Sequence, residues 1–292
     1  MSAAQPRFER LKPILACPSD GGSLEYSAQA AQCQTCGAAY PIRRGKIYFV
    51  DVPERGDALD GLKGRLKRWL GKYYYTIGLH IVAPTYPFNY RRRIVQRLDP
   101  RQHIVVDIGC GNHRIDEHII GLDLYDYDAV DVVCNLEALP FKPQSVDAFV
   151  SRSVLEHVAD PVRVVQHMHR CTRTAGLSLH LIPFLFPFHA SPFDFQRYTH
   201  KGLALLFKGW EVVEQTNATG PVTLGLISLI EFLSILLSGG QERVKAYVYL
   251  LLCLLLFPLK YGDALFVNRP SFLTLAPTIF LVVRKCHATT TA

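Results

Sequence analysis

The residues best suited to chemistry lie in one short string, VVDIGCGNHRI, which runs from Val105 to Ile115. An apolar run ends in Asp107, and Gly109 and Gly111 follow where a strand would stop. Glycine lacks a Cβ and adopts positive φ, so backbone N–H groups in such a turn can approach a ligand closely. The spacing predicts a strand and a nucleotide-binding loop, although an ordinary tight turn in an α/β domain has the same pattern.

Further polar positions follow this loop at the ends of predicted strands. Asp123 lies near the end of the apolar run IIGLDL, where its carboxylate can accept hydrogen bonds from a ribose diol. The string NLEALPF then begins at Asn135 and Leu136. An alternating strand and a Leu-Glu-His turn occupy residues 145–157, and we expect a helix to begin at Pro161.

In this order, over residues 105–182, the motifs resemble those of class I S-adenosylmethionine-dependent methyltransferases of the type 11 group. The resemblance implies an α/β, Rossmann-like fold with a mostly parallel seven-stranded sheet flanked by helices. It also implies S-adenosylmethionine as the cofactor. The cofactor-binding residues implied are Asp107, Gly109 and Gly111 at the methionine end, Asp123 at the ribose, and Asn135 with Leu136 at the adenine edge.

The string departs from the family pattern in two respects. Asn135 stands where the family often has Asp. Only eleven residues separate Gly111 from Asp123, too few for the helix usual between the first two strands. A methyltransferase-like domain that no longer binds the cofactor is therefore the alternative.

The loop Phe184–Leu203 follows a strand predicted at 177–183, so it should lie at the sheet edge where substrates approach. Methyl transfer requires alignment, exclusion of water and, for a hydroxyl acceptor, removal of a proton. We expect His189 to be the general base, Asp194 to orient it or act itself, and Arg197 to clamp an anionic acceptor. The alternative is a structural ion pair between Asp194 and Arg197.

The string PFHASPFDFQRYT in this loop is similar to strings in bacterial type 11 methyltransferases linked to surface-glycan gene clusters. The resemblance implies O-methylation of a glycan or lipid-linked saccharide. A quinone-like lipid, tRNA or protein acceptor is the second possibility. A scaffold protein without catalysis is the third.

Residues 1–50 form a small N-terminal module with four candidate metal ligands, Cys17, Asp20, Cys33 and Cys36. A C-x-x-C knuckle and a C-x-x-D knuckle supply thiolates and a carboxylate at a spacing that suits tetrahedral Zn²⁺. The module resembles the zinc ribbons of the tRNA-methyltransferase activator family, in which Cys is frequent at the position of Asp20. A metal-free ribbon and a C-x-x-C redox pair are the alternatives.

Residues 51–98 form a basic, aromatic connector. Between Gly61 and Leu98 there are nine Lys and Arg residues and no Asp or Glu. The segment Lys63–Lys72 has helical spacing of its apolar residues and a cationic opposite side, which predicts binding to an anionic membrane surface. Binding to nucleic acid and a solvated basic face are the alternatives.

Residues 99–292 form the predicted methyltransferase domain, with an apolar helical insertion at 218–262. The uncharged or nearly uncharged runs Val222–Leu237 and Ala246–Leu259 are shorter than the roughly 20 residues of a membrane-spanning helix. We therefore expect buried or interfacial helices rather than a spanning hairpin.

The whole chain is 292 residues with 49 % hydrophobic residues and a net charge of +7. The polar start of the chain predicts no secretory signal, so we expect a cytoplasmic protein, peripheral to the inner face of the cell membrane. The eight cysteines are scattered apart from one cluster, which favours reduced or metal-bound thiols over a disulfide framework.

Overall fold

One sheet runs through the computed structural model, which describes residues 4–53, 71–73, 77–189 and 193–286. Its strands are β1 (Leu24–Tyr26), β2 (Ala30–Cys33), β3 (Ala39–Arg43), β4 (Lys46–Tyr48), β5 (Val105–Ile108), β6 (Ile120–Asp123), β7 (Val132–Val133), β8 (Val146–Arg152), β9 (Thr172–Pro183), β10 (Trp210–Asn217) and β11 (Thr278–Lys285).

The described α-helices are α1 (Ala4–Leu11), α2 (Tyr90–Val95), α3 (Pro161–Cys171), α4 (His200–Leu206), α5 (Pro221–Ser238) and α6 (Glu242–Leu256). Short 3₁₀ segments lie at Gly71–Tyr73, Leu136–Ala138, Leu155–His157, Phe257–Leu265 and Pro270–Leu275, and a π-helical turn at Gly78–Val82.

The strands follow the order β1-β2-β3-β4-β7-β6-β5-β8-β9-β11-β10. All neighbours from β4 to β9 in this order pair in parallel, whereas β11 is antiparallel to both β9 and β10. Strands β5–β11 therefore form the predicted Rossmann-like arrangement, within a mixed sheet. The predicted sheet was nevertheless too small, because β4 pairs with β7 and the four N-terminal strands extend the same sheet to eleven.

The apolar residues of β5 and the capping residues of α3 account for the positions of these two elements. All four residues of β5 are buried, as expected for a parallel strand that is covered on both faces. The Asp160 side chain accepts a hydrogen bond from the N–H of Arg163, and Pro161 occupies the first turn of α3. The buried face of α3, with Val164 and Met168, packs into the main core.

The N-terminal module packs against the edge of the sheet. Ile47 of β4 pairs with Val132 of β7. Leu15, which is buried, forms an isolated antiparallel bridge with Phe141. The described part of this module and the methyltransferase-like strands consequently share one hydrophobic core.

Residues 54–70 and 74–76 of the predicted basic connector lie outside the described residues, and so does the tail 287–292. In the described part, α2 packs on the sheet through buried Tyr90 and Ile94. Arg93 and Arg97 both form ion pairs with Glu214 of β10. These two cations therefore neutralise a carboxylate of the domain itself.

The apolar insertion forms a helical hairpin of α5 and α6, and α6 continues into the 3₁₀ segment Phe257–Leu265. Two described helical stretches are long and apolar enough to cross a membrane by length and composition alone, Pro221–Ser238 and Glu242–Leu265. Only 33 % of the first and 17 % of the second are buried. The sequence predicts buried or interfacial helices, and the low buried shares disagree with the buried alternative alone. The second stretch is also longer than the apolar run Ala246–Leu259.

Tertiary contacts explain why the helical stretch Glu242–Leu265 includes two charged residues, Lys260 and Asp263. Lys260 is fully buried and donates from Nζ to the carbonyl of Ala83 at 2.6 Å. Asp263 is also fully buried and accepts hydrogen bonds from the N–H groups of Gly220, Val222 and Thr223. These contacts satisfy both charges inside the fold, so neither ends the helical segment.

Candidate functional site

The glycine loop after β5 has the geometry that its sequence predicts. Gly109 and Gly111 have φ of +63° and +57°, in the left-handed region that favours glycine. A Cβ on Gly109 would lie 2.6 Å from a methyl group of Val154, whereas one on Gly111 would meet nothing within 4 Å. The loop therefore requires glycine at Gly109 for space as well as for conformation.

A cavity of about 280 Å³ opens beside this loop. Its lining residues are Asp107, Gly109, Cys110, Gly111, Asn112, His113 and Arg152. Asp107 is 4 % exposed, and burial raises the pKa of its carboxyl to about 8, although the charge of Arg152 opposes the rise. The cavity thus presents a glycine-rich backbone and one titratable buried acid to a ligand.

The other predicted cofactor residues lie on neighbouring strand ends. Asp123 ends β6, and its Oδ2 accepts a hydrogen bond from the N–H of Gly111 at 2.8 Å. Asn135 is exposed and caps the 3₁₀ segment Leu136–Ala138 by accepting from the N–H of Glu137 at 2.9 Å. Asp123, Asn135 and Leu136 do not line the described cavity.

The short connection between β5 and β6 contains no helix among its residues, all of which the structure describes. This agrees with the expectation from its length. Sequence reasoning did not single out Arg152, which ends β8 and reaches the same cavity. The signal available was its position at the carboxyl end of a strand next to β5.

The loop after β9 is organised by Asp194. Arg197 donates two hydrogen bonds to the Asp194 carboxylate, and this guanidinium lowers the pKa of Asp194 to about 2. The N–H of His189 donates to Asp194 Oδ2 at 2.8 Å. Arg197 also donates to the carbonyls of Phe186 and Pro187 at 3.1 and 3.0 Å. All three predicted catalytic residues are therefore in contact, with Asp194 and Arg197 directly paired.

A fourth residue of this site, Glu156, was missed from the sequence. Glu156 is fully buried in the turn after β8, and its Oε1 lies 3.6 Å from Nε2 of both His157 and His189. The carboxylate raises the pKa of His189, although partial burial of the imidazole opposes the rise. The signal in the sequence was the Leu-Glu-His turn at a strand end.

The four predicted ligands of the N-terminal module lie together. One ligand atom from each of Cys17, Asp20, Cys33 and Cys36 falls within 4.8 Å of all the others. Cys17 Sγ lies 3.7 Å from Cys36 Sγ, and Cys33 Sγ lies 3.4 Å from an Asp20 oxygen. Three thiols and a carboxylate at these separations match the donor set and number that Zn²⁺ takes in structural sites.

Comparison with protein families matches residues 106–179 to the family described as "Methyltransferase domain". The match runs from β5 into β9, so it contains the glycine loop, Asp123 and Glu156. It covers 74 of the 292 residues. The match therefore indicates a methyltransferase domain in this part of the chain. Comparison with curated proteins gives no match.

Several solved structures are similar to the chain at low identity. A chain of the complex between the Haloferax volcanii Trm112 methyltransferase activator and a methyltransferase is 17 % identical, with coverage of 77 % of this chain and 97 % of that one and a TM-score of 0.45. The 4+2 cyclase SpnF is 15 % identical, with coverage of 68 % and 81 % and a TM-score of 0.46.

Phosphoethanolamine N-methyltransferase 2 of Haemonchus contortus, solved with S-adenosyl-L-methionine, is 16 % identical to this chain. The comparison covers 85 % of this chain and 62 % of that one, with a TM-score of 0.47. The fold assignment itself rests on the strand order and on the family match.

Proposed function

We propose that the protein is an S-adenosylmethionine-dependent methyltransferase that O-methylates a glycan or a lipid-linked saccharide at a membrane surface. The observation that carries the proposal is the cavity beside the glycine loop, within the segment that matches the methyltransferase domain. Its buried acid suits a ligand with a cationic end, and its positive-φ glycines allow the backbone to approach that ligand closely.

The residues present fit the cofactor. Asp107 would face the cationic amino-acid end, the backbone of Gly109 and Gly111 would approach it closely, and Asp123 would bind the ribose hydroxyls. Asn135 and Leu136 would meet the adenine edge. When bound, S-adenosylmethionine supplies a methyl group on a positively charged sulfur. The shortened β5–β6 connection leaves the glycine loop intact, which supports binding over a degenerate loop.

The acceptor would approach from the loop 184–199. This loop follows β9 and therefore lies at the same edge of the sheet as the glycine loop. Asp194 and Arg197 hold the backbone around His189, whose imidazole lies beside the buried Glu156. We propose that the pair of His189 and Glu156 removes the proton from the acceptor hydroxyl. Asp194 and Arg197 hold the loop in position.

The helical hairpin supports a membrane context. It leaves the sheet after β10 and returns before β11, at the edge that also bears the acceptor loop. The N–H of Phe184 donates to the carbonyl of Pro277 at 2.8 Å and so links the acceptor loop to the base of the hairpin. Exposed apolar side chains cover the hairpin, among them Phe232, Leu237, Leu251 and Leu255. An acceptor with a lipid anchor suits this arrangement, and so does a quinone-like lipid.

We also propose a structural Zn²⁺ bound by Cys17, Asp20, Cys33 and Cys36, and a cytoplasmic location on the inner face of the cell membrane. Four protein ligands leave no open position, so this ion would stabilise the module and take no part in methyl transfer. tRNA and protein acceptors remain consistent with an activator-like ribbon.

The test is calorimetric titration of the purified full-length chain with S-adenosylmethionine and S-adenosylhomocysteine. We expect binding that is weakened at least tenfold by Asp107→Asn and by Asp123→Asn. The matched control is Asp128→Asn, which removes an exposed carboxylate near the same strands. Failure of a folded wild-type sample to bind either compound would reject the methyltransferase and favour a scaffold protein.

A further inference from the structure

Glu156 is a buried carboxylate without a hydrogen-bond donor in the described part of the chain. Its exposed fraction is 0 %, and neither Oε1 nor Oε2 has a partner there. Burying an ionised carboxylate without a compensating partner costs about several kcal/mol of folding free energy. Such a group therefore requires a proton or a cation beside it.

Two imidazoles face this carboxylate with the same ring nitrogen. Nδ1 of His189 lies 3.2 Å from the carbonyl of Pro187, and Nδ1 of His157 contacts the carbonyl of Phe193. A carbonyl only accepts hydrogen bonds, so Nδ1 of His157 carries the proton that it donates. Nδ1 of His189 also has the Asp194 carboxylate at 3.5 Å and Nη2 of Arg197 at 3.3 Å, so two acceptors favour a proton on this nitrogen and one donor opposes it. With the proton on Nδ1 in both neutral rings, the Nε2 lone pairs lie beside the Glu156 oxygens. This is the tautomer that metal-binding histidines adopt, fixed by a backbone carbonyl on the other nitrogen.

The separations fit a bridging ion better than direct hydrogen bonds. Each Nε2 lies 3.6 Å from Oε1 of Glu156, whereas an N–H···O hydrogen bond spans about 2.7 to 3.2 Å. Two tetrahedral ligands at about 2.0 to 2.2 Å from a zinc ion are about 3.4 Å apart. All three ligand atoms lie within 4.8 Å of one another.

We propose that Glu156, His157 and His189 bind a divalent transition-metal ion of the Zn²⁺ type through Oε1 and the two Nε2 atoms. Two histidines and one carboxylate with an open fourth position form the donor set of catalytic zinc sites. The His189 side chain is 33 % exposed, which leaves that side of the cluster accessible to an acceptor. The ion would neutralise the buried carboxylate and use both lone pairs.

A catalytic role for this metal ion rests on the proposed function. It also changes the role of His189. A hydroxyl of the acceptor would occupy the open position, where the ion would lower its pKa and the proton would pass to water. The carbon–oxygen bond would then form as the bond from the methyl carbon to sulfur breaks, with the electron pair left on sulfur. With the ion bound, His189 and Glu156 would act as its ligands and would no longer take the acceptor's proton themselves, and Asp194 with Arg197 would position His189.

The experiment measures Zn²⁺ binding to the full-length chain after removal of the thiol cluster. In a Cys33→Ser/Cys36→Ser background, equilibrium dialysis with elemental analysis should find one Zn²⁺ per chain. We expect Glu156→Gln and His189→Ala, each added to that background, to weaken binding by about 100-fold or more. His118→Ala serves as the matched control, because it removes one histidine outside the cluster and should leave binding unchanged.

The unfolding temperature distinguishes a loss of Zn²⁺ binding from misfolding of a variant. Glu156→Gln keeps the shape of the side chain and removes the buried charge, so the metal-free variant should unfold at the same temperature as the background or higher. Added Zn²⁺ should raise the unfolding temperature of the background but not that of Glu156→Gln. Equal Zn²⁺ binding by background and variants, or none by the folded background, would overturn the site in favour of a proton shared between Glu156 and His189.

The titration with S-adenosylmethionine on the same samples separates the two proposals. Cofactor binding without the predicted Zn²⁺ binding would reject this site and leave the methyltransferase intact. Zn²⁺ binding that depends on Glu156, in a chain that does not bind the cofactor, would reject the methyltransferase and keep the metal site.

Discussion

The backbone N–H of Gly111 donates to Oδ2 of Asp123 at 2.8 Å and so ties the glycine loop after β5 to the end of β6. This bond fixes the loop across a connection that contains no helix. Both glycines of the loop have positive φ, but only Gly109 is closely packed, against Val154. An alanine at Gly111 would therefore cause backbone strain alone, whereas an alanine at Gly109 would cause the same strain and a steric overlap with Val154.

We predict that Gly109→Ala is much more damaging than Gly111→Ala. Each substitution places an L-residue in the left-handed region at a cost of about 1 to 2 kcal/mol. Gly109→Ala adds an overlap with Val154 that requires the loop or β8 to shift. Thermal unfolding and cofactor titration should show a larger loss for Gly109→Ala in both measurements. Equal losses would mean that the loop relaxes freely and that the close contact with Val154 is unimportant.

Asp107 predicts the pH dependence of cofactor binding. Burial raises the pKa of this carboxyl to about 8, so at lower pH the group carries a proton that a cationic ligand must displace. The affinity for S-adenosylmethionine should therefore rise about tenfold per pH unit towards pH 8 and then level off. Titration at pH 6.5 in buffers of different ionisation enthalpy should show release of one proton. Asp107→Asn should abolish this slope, and a slope that survives the substitution would assign it to another group.

His180 predicts loss of stability in mild acid. Its two ring nitrogens lie 2.7 Å from the hydroxyls of Ser151 and Ser178, and complete burial lowers its pKa to about 3. The unfolded chain binds the proton near pH 6.5, so the full contribution to stability is present above that pH and declines as the pH falls towards 3. Urea unfolding at pH 7 and pH 5 should show this decline. His180→Gln, which keeps a donor and an acceptor, should reduce it.

The cysteine cluster predicts zinc-dependent stability of the N-terminal module. Cys33→Ser and Cys36→Ser should each remove bound zinc, measured by elemental analysis, and lower the unfolding temperature. The control is Cys286→Ser, an exposed cysteine at the end of β11. Glu156→Gln should be included, because a second ion at that site would otherwise be counted with the first. Zinc content unchanged in all the cysteine variants would place the metal elsewhere.

Much of this architecture was predictable because it is locally encoded. The strands predicted near residues 105, 120, 146 and 177 are present, and α3 begins at Pro161 as its capping residues indicate. The addition of β4 to the sheet was not predictable, because it depends on a parallel pairing between Ile47 and Val132, far apart in sequence. Glu156 was missed for the same reason, since its neighbour His189 comes from a loop more than 30 residues away.

The exposed hairpin predicts binding to lipid vesicles. Leu251 and Leu255 of α6 are 56 % and 65 % exposed, and burying such side chains in a lipid interface contributes about 1.5 to 3 kcal/mol each. We expect the chain to float with vesicles that contain anionic phospholipid, and Leu251→Glu/Leu255→Glu to abolish flotation. Leu205→Glu is the matched control, because Leu205 is an equally apolar residue of α4 that is 78 % exposed outside the hairpin.

The same vesicles separate the contributions of apolar and cationic residues. Replacing Lys63, Arg65, Lys67 and Arg68 by alanine should weaken flotation with anionic vesicles and leave binding to neutral vesicles unchanged, because only the Coulombic attraction is lost. Flotation that is insensitive to both sets of substitutions would remove the membrane from the proposed function. The exposed leucines would then be assigned to a contact between proteins, which would appear as a change of oligomeric state in Leu251→Glu/Leu255→Glu.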